Sequence, residues 1–186
     1  MSKLISLVFI VLLVACTKLP SGVEAVQSFD KTKYLGKWYE IARLDQRFEA
    51  GLSQVSAEYS LRDDGGIQVV NRGYSAADGE WREAEGRAYF VGEESTAHLK
   101  VSFFGPFYSS YVVFDLGLVS ADGDAEPDQY QYAFVSGYNK DYLWLLARTP
   151  VVSDELISRF VNKARSLGFD TGSLLYVKHP KPLTAK

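Results

Sequence analysis

The chain has 186 residues, a net charge of −3 and one Cys. A single domain of this length buries a core large enough to fold unaided. The mild acidity weighs against nucleic acid as a partner, and a lone Cys excludes an internal disulfide even in an oxidising compartment. Met1 to Lys3 give a short positive start and Leu4 to Val14 an apolar run too short for a permanent bilayer span. Residues 1–15 are therefore expected to be a signal peptide.

The leader ends Leu13-Val14-Ala15-Cys16, which resembles the lipobox of bacterial lipoproteins. That resemblance implies several acyl chains on Cys16, enough for a stable membrane tether where one chain would hold only marginally. It also implies outer-membrane residence, because Thr17 stands where an Asp would retain the protein in the inner membrane. Residues 16–28 are polar, contain Pro20 and Gly22, and are expected to form a flexible lipidated linker.

The main domain is expected over residues 29–178, followed by a tail at 179–186. Eight short runs rich in aromatic and β-branched residues cover roughly 36–45, 53–62, 67–75, 80–91, 97–104, 109–118, 129–137 and 142–148. Turn signals such as Asp64-Gly65-Gly66 and Asp78-Gly79 separate them, so most links are short hairpins. No internal repeat points to a solenoid or propeller. An all-β, up-and-down antiparallel barrel of eight strands fits best. Ser153 and Asp154 then cap a helix over about 153–167, with Leu156, Ile157, Phe160, Val161, Ala164 and Leu167 at helical spacing before Gly168. Its apolar stripe is expected to pack outside the barrel, and Leu174 to Val177 to form a short final strand.

At Gly36-Lys37-Trp38-Tyr39 the sequence resembles the Gly-x-Trp block that opens a lipocalin, and Arg148 at the end of the eighth run matches that family's basic residue at the barrel base. The runs Tyr39 to Arg43, Tyr59 to Gly66, Val101 to Phe107 and Asp141 to Trp144 resemble bacterial outer-membrane members of the family, over residues 29–178. The resemblance implies a lipocalin calyx in which Gly36, Trp38 and Arg148 form a structural base, with Arg148 lying over Trp38 through cation–π contact. The family's middle block is not recognisable. The acidic loop 120–128 stands in its place and is read as a solvated extension, since no Gly and Glu fall at EF-hand positions; no metal is expected there.

An eight-stranded barrel is just wide enough inside for one small ligand, and alternation decides which residues face it. Keeping charges outside selects Ala57, Tyr59 and Leu61, then Val69 and Asn71, then Ala84, Gly86, Ala88 and Phe90, then Leu99, Val101 and Phe103. Tyr111 and Val113, Ala133 and Val135, and Tyr142, Trp144 and Leu146 complete the wall. The expected ligand contacts are Ala57, Val69, Asn71, Ala88, Phe90, Leu99, Val101, Phe103, Tyr111, Val113, Val135, Tyr142 and Trp144. The small members of the wall argue for space between the aromatic ones, against the alternative of a filled core.

Apolar walls with few polar groups suit an acyl chain, and Asn71, Tyr111, Tyr142 and Glu40 could orient one head group. The family's pocket implies a fatty acid or lysophospholipid, whose phosphate would sit near Arg47 and Lys100. No cofactor is expected. Two rival readings stand beside this carrier. A barrel esterase or isomerase lacks a Gly-x-Ser-x-Gly elbow, and its only Cys is consumed by the anchor. An envelope scaffold with an incidental cavity would be a monomer or a weak homodimer through Trp81, Tyr89 and Phe114.

Overall fold

The structure, a computed structural model, describes residues 17–118 and 129–180. Cys16 with the signal peptide, the acidic loop 120–128 and the end of the tail lie outside the described residues. A short helix, α1 (Lys31–Tyr34), is N-capped by the Asp30 carboxylate, which accepts the Thr32 N–H. Eight strands follow: β1 (Gly36–Leu44), β2 (Leu52–Leu61), β3 (Ile67–Ser75), β4 (Glu80–Phe90), β5 (His98–Ser102), β6 (Ser109–Gly117), β7 (Tyr132–Ser136) and β8 (Leu143–Ala147). Each pairs antiparallel with the next, and β1 pairs with both β2 and β8, so the sheet closes into an eight-stranded barrel without free edges. Helix α2 (Asp154–Ser166) and a short strand β9 (Leu174–Tyr176) complete the chain.

Cross-strand partners share a face, so the register identifies the interior. Trp38, Ala57, Asn71 and Ala84 are successive partners across β1 to β4, and Tyr59, Val69 and Gly86 form the next such row. The inner apolar cluster contains Trp38, Tyr59, Val69, Ala88, Leu99, Val113, Ala133, Val135 and Leu146. A second cluster lies between the outer wall and α2, where Phe160 and Ala164 are buried against Phe134, Leu143 and Leu145. Phe160 meets Phe134 edge-on at 5.0 Å between ring centres. Ser153 caps α2 by accepting the Leu156 N–H at 3.3 Å. The helix thus covers a wall whose outward residues are as apolar as its inward ones.

Strand β1 carries the irregularity that matters for the site. Its pairing with β8 runs Tyr39 to Ala147 and Glu40 to Leu146, then shifts so that Ala42 faces Leu145 and Arg43 faces Trp144. This bulge reverses the alternation: Trp38 and Glu40 point inward, and beyond it Arg43 does. Strand β2 leaves β1 after Tyr39, and β9 takes the vacated edge opposite Ala42 to Leu44.

Several expectations require correction. The segment expected to be a flexible linker is instead docked from Lys18 onward. Pro20, Val23 and Ala25 are buried, the Val26 N–H donates to Val113 O at 2.9 Å, and the Phe29 N–H donates to Ser95 O. The apolar residues within a polar segment drive this, and only Thr17 separates Cys16 from the docked strap. Phe114 is buried beneath Phe134 and Phe169 and offers no association surface, whereas Trp81 is exposed. Leu61, read as inward, is 55% exposed at the closed end, where β2 runs out of barrel to cover it.

Candidate ligand-binding calyx

The base of the barrel is closed by aromatic rings and one guanidinium. Trp38 is fully buried and its indole N–H donates to Tyr34 O at 2.8 Å. The Arg148 Cζ lies 3.9 Å from the Trp38 ring centre, and its guanidinium donates to the carbonyls of Tyr130, Lys37, Lys33 and Leu35. Burial pulls its pKa down to about 10, so it stays charged at neutral pH. Gly36 has φ +91°, a conformation L side chains avoid, with Arg148 Nη1 3.5 Å from where a Cβ would stand. These three residues lie together at the base of the barrel.

Above the plug lies a cluster of three phenols. Tyr111 shares hydrogen bonds with Tyr34 at 2.5 Å and Tyr59 at 3.0 Å. Burial pushes all three phenol pKa values up, so they remain neutral. The hydroxyl of Tyr111 is therefore committed to its neighbours, and its ring forms a floor rather than a free head-group partner.

Further up, the wall is apolar and incompletely filled. Ala57, Phe90, Val101, Phe103, Tyr111 and Trp144 all belong to the inner cluster yet keep accessible surface. Asn71 is half-buried and Ala84 exposed in the same inward row. Gly86 does not leave space, contrary to the sequence reading: a Cβ there would stand 2.8 Å from the Phe103 ring, which occupies that room. Tyr142 precedes β8 at the rim, its ring 6.1 Å from Trp144 and 5.2 Å from Tyr138.

The polar chemistry is concentrated at one place that period-two alternation hides. The Arg43 guanidinium, 2% exposed, donates through Nη1 to Glu40 Oε1 at 2.7 Å and through Nη2 to Glu49 O at 2.8 Å. Its Nε has no hydrogen-bond partner among the described residues, with Asp45 Oδ1 at 3.6 Å and Glu49 Oε2 at 3.9 Å. Glu49, on the loop between β1 and β2, accepts from Trp144 Nε1 at 3.1 Å. Burial, with the charge of Glu49 adding to it, pushes the Glu40 carboxyl up to about 8, and burial also raises Glu49. One cation faces three carboxyl groups, Glu40, Asp45 and Glu49, and burial favours the protonated form of Glu40. Glu40 was a candidate from the sequence; Arg43 was not, because strict alternation from Trp38 places it outside. Lys100 pairs with Tyr89 and Ser110 on the outer face, its Nζ 5.3 Å from the Tyr108 ring centre, so it offers nothing to the cavity. Arg47 is exposed on the rim loop. His98 lies on the outer face, its Nε2 3.3 Å from Ser110 Oγ.

Comparison with known proteins places this architecture. Residues 29–179 match the family model for a lipocalin-like domain. The outer membrane lipoprotein Blc of Vibrio cholerae is 55% identical over 168 residues, covering 90% of this chain and 93% of that one. Its counterpart in Escherichia coli K12 is 49% identical over 171 residues, 91% of each chain. Temperature-induced lipocalin-1 of Arabidopsis thaliana is 33% identical, over 82% of this chain and 80% of its own. Among solved structures, insecticyanin of the tobacco hornworm Manduca sexta superposes with a TM-score of 0.65 at 19% identity, covering 88% of each chain, which shows the fold alone. The chain belongs to the lipocalin family, as a lipid-anchored protein of the outer membrane.

Proposed function

We propose that the calyx carries one single-chain anionic lipid, a fatty acid or lysophospholipid, with its head at Arg43 and its tail among Ala57, Phe90, Val101, Phe103 and Trp144, and that the protein serves lipid storage, transport or envelope maintenance. The observation that carries this reading is Arg43: a buried guanidinium inside the barrel whose Nε makes no hydrogen bond among the described residues, the carboxylates of Asp45 and Glu49 lying 3.6 and 3.9 Å away. Buried donors lacking a partner are rare, and the chemistry they await is an anion's oxygen. Glu49, which occupies the guanidinium from the rim loop, is the group that a ligand head would replace. Burying each methylene contributes about 0.8 kcal/mol, so roughly ten of them offset the loss of ligand freedom. The lipid tether proposed on Cys16 keeps the carrier beside the bilayer that holds such lipids.

Trp144 reports the event directly, because its indole N–H is bonded to Glu49. The mature protein titrated with palmitate and with hexadecanol should show one saturable fluorescence change per chain for the acid, absent in Trp144→Phe. Arg43→Met should weaken palmitate about 10- to 100-fold, the worth of a charged hydrogen bond, and leave hexadecanol within twofold, with Arg43→Lys intermediate. Equal losses for acid and alcohol would remove the head-group role; no saturable binding of any lipid would remove the carrier reading.

A further inference from the structure

We propose that the open end of the barrel docks onto the bilayer, with Phe48, Phe104 and Phe107 as the inserting side chains. These are the three most exposed large apolar residues among those described, at 62%, 81% and 69%. Phe48 lies between β1 and β2, the other two between β5 and β6. In an up-and-down barrel these loops fall at one end, together with the β7–β8 loop, to which Gln46 Nε2 is bonded through Asp141 O. Phe104 O accepts the Phe107 N–H at 3.2 Å, so one tight turn presents both rings.

The path of the N-terminal strap independently selects the same end. From Phe29, bonded to Ser95 beside the closed base, the strap climbs past Val113 and reaches Ser110 at the start of β6, whose hydroxyl donates to Lys18 O at 2.9 Å. Ser110 directly follows the loop that carries Phe104 and Phe107. Lys18, which follows the proposed anchor Cys16 by two residues in the sequence, is thus held beside the mouth. The exposed apolar residues at the opposite end are the aliphatic Leu61, Val91, Leu118 and Val151, each between 40% and 55% exposed. Exposed aromatic side chains partition into the interfacial layer of a bilayer.

Docked this way, the calyx opens into the leaflet, and a single-chain lipid enters without its tail crossing water. That use rests on the lipid-carrying role proposed above, whereas the docking rests on the strap and the loop aromatics. The test uses the acylated protein in phosphatidylethanolamine–phosphatidylglycerol vesicles, with an environment-sensitive fluorophore on Phe104→Cys or, separately, on Leu61→Cys. Quenching by lipids carrying a nitroxide on the acyl chain should be strong at position 104 and absent at 61. Equal quenching at both positions, none at either, or quenching at 61 alone would overturn the docking. This readout needs no bound ligand, so its failure is distinct from failure of the carrier reading. Phe104→Ser with Phe107→Ser should also slow vesicle-to-protein transfer of a fatty acid at least tenfold, since each inserted ring contributes about tenfold to partitioning. Affinity for the same fatty acid presented without vesicles should be unchanged; a transfer rate equally unchanged would overturn the loading role.

Discussion

Replacing Glu40 by Gln should abolish much of the pH dependence of folding. In the folded protein this carboxyl is 4% exposed and titrates at about 8, through burial and the neighbouring charge of Glu49; in the unfolded chain it titrates near its ordinary value of 4.5. Between those values the folded state binds the extra proton. Linkage therefore lowers stability as pH rises, by about 1.4 kcal/mol per unit at most, and the contribution is fully present only below 4.5. Across the window the total is of order 5 kcal/mol, an upper bound because Arg43 and Glu49 titrate as part of the same unit. Gln keeps an oxygen to accept from Arg43 Nη1 and has no proton to lose. Urea unfolding of wild type and Glu40→Gln at pH 5 and pH 8.5 measures the difference. The variant should be close to wild type at the lower pH and more stable by several kcal/mol at the higher. Parallel pH profiles would refute the claim that Glu40 is protonated inside the barrel.

Other substitutions probe separate parts of the molecule. Glu49→Gln should tighten palmitate several-fold by weakening the competitor for Arg43, read by the same fluorescence titration; unchanged affinity would show that the loop carboxylate does not compete. Arg148→Lys loses the fork that reaches four backbone carbonyls and the flat contact with Trp38, and should lower stability by about 2–3 kcal/mol in urea. Gly86→Ala puts a Cβ into the Phe103 ring and should cost about 1–3 kcal/mol, largely recovered in the double variant with Phe103→Leu. Phe160→Ala should destabilise by roughly 3–5 kcal/mol, because the ring is fully buried between α2 and Phe134.

The barrel was legible because its signal is local. Period-two alternation with charges kept outside identified Ala57, Val69, Leu99, Val101, Val135 and Trp144 as inward, and all belong to the inner cluster. The stripe from Leu156 to Leu167 likewise gave both the helix and its buried face. Reading failed where geometry breaks the period. One bulge in β1 turns Arg43 inward, and no residue between Glu40 and Ala42 announces it: Ile41 is an ordinary strand former. Glu49 was illegible for a different reason, since an acid on a rim loop looks solvated until Arg43 and Trp144 are known to lie beneath it. The strap was misread because composition averaged over residues 16–28 masks Val23 and Ala25, two apolar residues spaced to dock on one wall.

Two of these failures, Arg43 and Glu49, lie at the mouth of the barrel, and their placement is physical. The base has no need to change shape, so it is built of interactions whose disruption leaves buried groups unpaired: Trp38 under Arg148, and Arg148 on four carbonyls. At the mouth the interactions are exchangeable. Arg43 is held by loop carboxylates and a loop carbonyl rather than by strand atoms alone, and its Nε makes no hydrogen bond among the described residues. An anion arriving from the leaflet would replace one oxygen partner with another, so the ion-pair inventory changes little while the loop bearing Glu49 and Phe48 is released. Phe48, proposed to meet the bilayer, lies next to Glu49, proposed to yield Arg43, in the chain. Neighbouring residues of a single loop thus point in opposite directions, Phe48 outward to the surroundings and Glu49 inward to Arg43 and Trp144.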